Sequence, residues 1–66
     1  MQLTVNGAPH SFGQGLNLAQ LLETLNLTGK RLAVERNGEI VPRSQFAETL
    51  LTDGDKLEIV VAVGGG

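Results

Sequence analysis

The side chains in this sequence that could act as nucleophile, acid or base are few, and their spacing forms no recognised catalytic motif. The single histidine, His10, has no nucleophile in a known pattern beside it, and Ser11 and Ser44 lack the glycine-flanked turn that exposes a catalytic serine. Glu35 and Glu39 flank a predicted hairpin turn, where charged residues are ordinary. The absence of cysteine removes disulfides and thiolate metal sites. We therefore expect a chain that is not an enzyme and binds no metal or cofactor itself.

A different chemistry is offered by the three glycines that close the sequence, Gly64, Gly65 and Gly66. Glycine has no Cβ, so a backbone of glycines can enter a narrow site that would exclude any side chain. Such a tail would deliver the carboxylate of Gly66 to the active site of another protein. The plain alternatives are a frayed end or a remnant of cloning. The direct junction of glycines with an apolar strand favours the functional interpretation.

Charge and composition exclude two classes of partner. The net charge is −2, and the five basic residues are dispersed, with Lys30 and Arg31 as the one adjacent pair. Nucleic-acid binding needs a clustered basic face, and base stacking needs aromatic side chains, here limited to two phenylalanines. No apolar run approaches the length of a membrane span, and the N-terminus shows no signal-peptide pattern. We expect a cytoplasmic protein that is monomeric when free.

Apolar periodicity predicts a hairpin, a helix, a second hairpin, a short helical turn and a final strand. The elements are expected at residues 1–5 with 8–12, 17–29, 32–36 with 39–41, 44–50 and 56–63. Asn-Gly dipeptides mark both hairpin turns. Asn17 is the expected helix N-cap with Gly29 as the stop, and Ser44 is the expected cap of the helical turn. Phe46 and Leu50 are expected to point into the core.

This order is satisfied by an α+β domain in which one main helix packs on one face of a mixed sheet of four to five strands. The first and last strands are the most apolar, so they are expected side by side in the centre of the sheet. That arrangement is the β-grasp of ubiquitin-like domains. We predict one domain over residues 1–63, followed by a flexible tail over residues 64–66.

Alternation along the last strand separates a core side from a solvent side. The residues expected on the core side are Leu57, Ile59 and Val61. Glu58, Val60 and Ala62 then face outward, and Ala33 shares that outer face if its neighbours in the third strand are core residues. An apolar Val60 beside a charged Glu58 has no core to fill on that side. We predict that Ala33, Val60 and Ala62 form a docking face for a partner.

The whole chain resembles the ThiS family, the sulfur carriers of thiamine biosynthesis. One motif that carries the resemblance is the stretch Asn37-Gly38-Glu39-Ile40-Val41-Pro42-Arg43, which is similar to that family's asparagine-to-VPR segment. Another is the Asp53-Gly54-Asp55 turn before the last strand, which related carriers share. The terminal glycines, joined directly to a strand, are the last.

The resemblance implies a mechanism. A ThiF-like adenylating enzyme, using ATP and Mg²⁺, would join the Gly66 carboxylate to AMP, which turns a poor electrophile into an activated acyl group. A cysteine desulfurase-derived persulfide would then supply sulfur and leave a thiocarboxylate at Gly66. Thiazole synthase would take that sulfur for the thiazole ring. The competing interpretations are a sulfur carrier for molybdopterin, tungsten cofactor or tRNA thiolation, a ubiquitin-like protein modifier, and an interaction module with an incidental tail.

Overall fold

In the computed structural model, residues 1–62 are described, and residues 63–66 lie outside that part of the chain. Five strands form one mixed sheet in the order β2-β1-β5-β3-β4. They are β1 (Gln2–Val5), β2 (Ala8–Ser11), β3 (Leu32–Arg36), β4 (Glu39–Val41) and β5 (Lys56–Val61). The first and last strands pair in parallel, while the other neighbours pair antiparallel. The predicted adjacency of the first and last strands is therefore confirmed.

Both hairpins turn through an Asn-Gly dipeptide, as predicted. Asn6 and Gly7 have φ values of 50° and 83°, and Asn37 and Gly38 have 52° and 87°. Positive φ at both central residues is the type I′ geometry, whose twist matches that of the flanking strands. Pro9 lies in β2, which is an edge strand of the sheet and therefore tolerates a residue without an N–H donor.

One helix, α1 (Leu18–Thr24), packs on the inner face of the sheet. Its leucines at helical spacing meet the inward residues of three strands, and the segments around residues 46 and 51 close the core. The buried apolar residues are Leu3, Val5, Leu18, Leu21, Leu22, Val34, Phe46, Leu51, Leu57 and Ile59. Aliphatic packing therefore supplies the stability that disulfides and metals supply in other small domains.

The helix begins as predicted and ends earlier. The Asn17 side chain accepts from the Gln20 backbone, and the Gln20 side chain accepts from the Asn17 backbone, which is a capping box. Gly29 is not the stop. The helix ends at Thr24, because Asn26 adopts a φ of 65° and the Leu27 N–H returns to the Leu22 carbonyl at 2.8 Å. This is a Schellman ending in which asparagine takes the position usual for glycine.

Other expectations are wrong in detail. Ser44 is no cap: a 3-10 helix (Arg43–Glu48) begins after Pro42, without a side-chain capping hydrogen bond. Leu50 is 57% exposed, and its neighbour Leu51 is 3% exposed instead. A backbone hydrogen bond decides which of the two leucines is buried. The Leu51 N–H donates to the Leu16 carbonyl at 3.0 Å, and in this position the Leu51 side chain points into the core. Val61, expected in the core, is 37% exposed, since it lies at the end of the sheet.

Candidate docking face and the strand that leads to the glycines

The predicted tail residues Gly64, Gly65 and Gly66 lie outside the described part of the chain, so their role stays a prediction. The last described residue is Ala62, whose N–H donates to the Arg31 carbonyl at 2.9 Å. This bond extends the pairing of β5 with β3 by one residue beyond Val61. The backbone is therefore held in the sheet until four residues before the end of the sequence.

The residues predicted to form the docking face are exposed and close together. Val60 is 65% exposed and lies directly opposite Ala33, which is also exposed, and Ala62 is exposed one step further along β5. Sequence reasoning missed Ile40, which is 72% exposed and lies opposite Glu35 on the neighbouring pair of strands. Its signal was the alternation in β4: Val41 is partly buried, so Ile40 points the other way. We call Ala33, Ile40, Val60 and Ala62 the outer apolar patch.

Two carboxylates lie beside the outer apolar patch. Glu35 on β3 is directly opposite Glu58 on β5, and both are exposed. Residues directly opposite in an antiparallel pair have Cβ atoms about 4.5–5.5 Å apart, and like charges there are destabilising. Within residues 1–62 neither carboxylate forms an ion pair. Strand alternation also places Lys56 and Arg31 on this outer face, at its two ends.

The Asn6 side chain fixes the strand that carries the patch. Its Oδ1 accepts from the Ile59 N–H at 2.7 Å, and its Nδ2 donates to the Ile59 carbonyl at 3.1 Å. The side chain thus continues the ladder between β1 and β5 beyond the last paired residues, Val5 and Leu57. The backbone next to Val60 is held on both edges, which makes the patch a preformed surface.

The carboxylate of Asp55 is the centre of a buried polar network that sequence reasoning took for an ordinary turn. Asp55 is 4% exposed and accepts four hydrogen bonds: from Arg36 Nε (2.9 Å), Asn37 Nδ2 (3.0 Å), Thr52 N (2.9 Å) and Thr52 Oγ1 (3.2 Å). Burial alone would raise the pKa of Asp55. The hydrogen bonds from Thr52, Asn37 and Arg36, with the charge of Arg36, outweigh burial and hold the pKa below its ordinary value.

This network joins two of the motifs that carry the family resemblance. Asn37 also accepts from the Lys56 N–H at 2.9 Å through Oδ1, so one asparagine binds both the turn and the start of β5. The motifs around Asn37 and Asp55 are separate in the sequence and adjacent in space. Their role in this structure is to join the β3–β4 hairpin to β5.

The concave features are small. A hollow of about 230 Å³ lies beside the helix, below the range of about 300–1,000 Å³ typical of ligand pockets. Arg43 and Lys30 both line this hollow, and Arg43 donates through Nη2 to the Lys30 carbonyl at 3.2 Å. Over residues 1–62, no group of His, Asp or Glu has the arrangement of a metal site. In the same part of the chain, no helix is long and apolar enough to cross a membrane.

The mixed sheet, its paired first and last strands and its single packed helix define a ubiquitin-like β-grasp protein. A crystal structure of the thiamine biosynthesis protein ThiS from Geobacter metallireducens is similar over the full length of both chains, with a TM-score of 0.85 and 39% identity. The predicted fold class is therefore confirmed.

Known sequences point to the same family as this crystal structure. The model of the ThiS family matches residues 3–66, and the sulfur carrier protein ThiS of Escherichia coli (strain K12) is 32% identical over the full length of both chains. The chain belongs to the ThiS family, as the resemblance predicted. A thiazole synthase of Paramagnetospirillum magneticum is 46% identical over all 66 residues, and the chain spans 20% of that relative's length.

Proposed function

We propose that this protein is the sulfur carrier of a thiazole-forming pathway, with the Gly66 carboxylate as its working group. The observation that carries the proposal is the family match, which extends through the terminal glycines to residue 66. A separate ThiF-like enzyme adenylates Gly66 with ATP and Mg²⁺ and releases pyrophosphate. The outer sulfur of a cysteine desulfurase-derived persulfide then attacks the adenylate and displaces AMP, which leaves an acyl disulfide. A second thiol, which this cysteine-free carrier cannot supply, reduces that acyl disulfide, so that the thiocarboxylate is released and a disulfide forms between the two thiols. The carrier contributes no catalytic residue and no cofactor of its own.

Thiazole synthase is the proposed sulfur acceptor. Support comes from the relative named thiazole synthase, in which a segment similar to this whole chain occupies 20% of the length. Carrier and acceptor sequences are thus found together in one protein of another organism. This relative favours the thiazole pathway over the other sulfur acceptors. We propose that the carrier acts in the cytoplasm.

The outer apolar patch supplies the affinity that the glycines lack. Fixing the backbone costs about 1–2 kcal/mol per residue, so ordering three glycines in a channel opposes binding by about 3–6 kcal/mol. A tail without side chains offers few contacts to offset that cost. The outer apolar patch lies on a strand whose backbone is held by Asn6. Its apolar side chains, Val60 among them, are exposed to solvent and are free to contact a partner. In this proposal the outer apolar patch binds the partner, and the glycine tail enters the partner's active site.

The test is the intact mass of the carrier after incubation with a ThiF-like enzyme, ATP, Mg²⁺, a persulfide donor and a thiol reductant. The expected product has one oxygen replaced by sulfur, and it is absent when ATP is omitted. A variant without Gly66 is expected to fold with an unchanged circular dichroism spectrum and to remain unloaded. Normal loading of that shortened chain would refute the assignment of the working group, and isopeptide conjugates to lysine would favour a protein modifier.

A further inference from the structure

The paired carboxylates Glu35 and Glu58 are an arrangement that the free protein does not explain. Both are exposed, and they lie directly opposite each other on adjacent strands. Like charges in such a pair oppose pairing of the strands. Neither is in the core, and within the described residues neither forms an ion pair or accepts a hydrogen bond from a side chain. The pair therefore adds nothing to the stability of the fold.

The position of the pair connects it to the outer apolar patch. Val60 and Ala33 form the next outward-facing cross-strand pair, and Ile40 lies directly opposite Glu35 on its other side. The two carboxylates are thus bordered by exposed apolar side chains. A partner that covers the patch must also cover the carboxylates, and burying two unpaired negative charges is strongly unfavourable.

We infer that the partner docking on this face presents an arginine, flanked by apolar side chains, that bridges Glu35 and Glu58. Arginine fits the geometry because its planar guanidinium carries five N–H donors and can serve two carboxylates at once. A lysine ammonium is a compact point charge without that fork. The inference rests on the proposed function, because the partner in question is the adenylating enzyme that must hold the carrier while the tail enters its site.

The cations of the carrier itself do not fill this position. Lys56 lies two residues before Glu58 on the same face, and Arg31 lies beyond Ala33 at the opposite end of the strands. Neither is bonded to the pair. The two cations favour carboxylates at both ends of the partner's surface, whereas Glu35 and Glu58 between them favour an arginine at its middle. Such alternation of charge gives a single register for docking.

The experiment compares a double variant, Glu35→Gln with Glu58→Gln, against a matched control, Glu23→Gln with Glu48→Gln. Both lose two negative charges, and Glu23 and Glu48 are exposed residues of the helical side. Adenylation by a ThiF-like enzyme is followed as ATP–pyrophosphate exchange at a series of carrier and salt concentrations. Melting temperature is measured for each variant.

We expect the Glu35/Glu58 double variant to melt at or above the temperature of the parent. Its KM should rise about 10-fold to 100-fold, the worth of one hydrogen bond to a charged group, with little change in kcat. The dependence of KM on salt should weaken in this variant and remain in the control, whose KM should stay within about twofold of the parent.

Three other outcomes would contradict the arginine inference or the proposed docking face. If Val60→Asp raises KM while the Glu35/Glu58 double variant does not, the patch docks the enzyme and the arginine inference is wrong. If neither change affects KM while thiocarboxylate still forms, the docking face is elsewhere and the sulfur-carrier function stands. If the parent sediments as a dimer that the double variant abolishes, the cation comes from a second copy of this chain, and the inference is again wrong.

Discussion

The substitution Asp55→Asn tests whether the buried carboxylate joins the second hairpin to the last strand. The carboxylate accepts four hydrogen bonds, two of them from Thr52 and one each from Arg36 and Asn37. An amide has one oxygen to accept these bonds, and its NH₂ group faces donors. Asp55 is 4% exposed, so water has little access to replace the lost partners.

The expected loss in free energy of unfolding follows from the hydrogen bonds that the donors to Asp55 lose. A net hydrogen bond contributes about 0.5–1.5 kcal/mol, and one to a charged group about 1.5–3 kcal/mol. The Arg36 side chain is 30% exposed and recovers part of its loss from water. We therefore expect the free energy of unfolding to fall by about 3 kcal/mol. At about 4–8 °C per kcal/mol for a domain of this size, the melting temperature should drop by about 12–24 °C.

The matched control is Asp53→Asn, the same chemical change two residues earlier in the same turn. Asp53 is exposed, and its Oδ1 accepts a single bond from the Gln2 N–H at 2.6 Å, which an amide oxygen can also accept. The control should change the free energy of unfolding by less than about 0.5 kcal/mol. Urea denaturation monitored by circular dichroism measures both variants. Equal losses in the two variants would refute the assignment of the network to Asp55.

Further predictions concern pH, docking, the tail and the strand backbone. The lowered pKa of Asp55 gives stability that is fully present above the ordinary value of 3.8 and is lost as pH falls through the folded-state pKa; acid melting curves of wild type and Asp55→Asn should therefore converge there. Val60→Asp should leave the free energy of unfolding within about 0.5 kcal/mol and raise KM for adenylation, whereas Leu50→Asp, a control that is 57% exposed on another face, should leave KM unchanged. Gly65→Val should fold and inhibit the wild-type carrier competitively without being adenylated, and adenylation at the normal rate would show that a slender tail is not required. Asn6→Ala should lower the free energy of unfolding by about 1–3 kcal/mol, because two hydrogen bonds to Ile59 are lost, and hydrogen exchange of the Ile59 amide should accelerate.

Local features of the sequence predicted the elements that depend on neighbours in the chain. The Asn6-Gly7 and Asn37-Gly38 turns and the helix N-cap at Asn17 are decided within a few residues, so they can be predicted from the sequence. Strand alternation likewise predicted that Val60 is exposed. Adjacency of the first and last strands followed from their apolar content.

The features that the sequence did not predict depend on distant contacts. Asp55 is buried because Arg36 and Asn37, which lie 19 and 18 residues away in the chain, converge on it. Local pattern shows only a turn there. The exchange of Leu50 for Leu51 in the core has a similar origin, since hydrogen bonds to the segment before α1 decide which leucine turns inward. The helix was expected to end at Gly29, but it ends earlier, before Asn26, because asparagine also tolerates positive φ.

The central place of β5 has a consequence for how the molecule is made. Synthesis runs from the N-terminus, and β5 separates β1 from β3 in the sheet, so neither hairpin has its neighbour until residues 56–61 exist. Val60 belongs to that strand, and the glycines follow it after Ala62 and Val63. An incomplete chain therefore has neither a finished surface nor a tail. On the function proposed above, a partner that needs both the outer apolar patch and the tail engages only fully synthesised, folded copies.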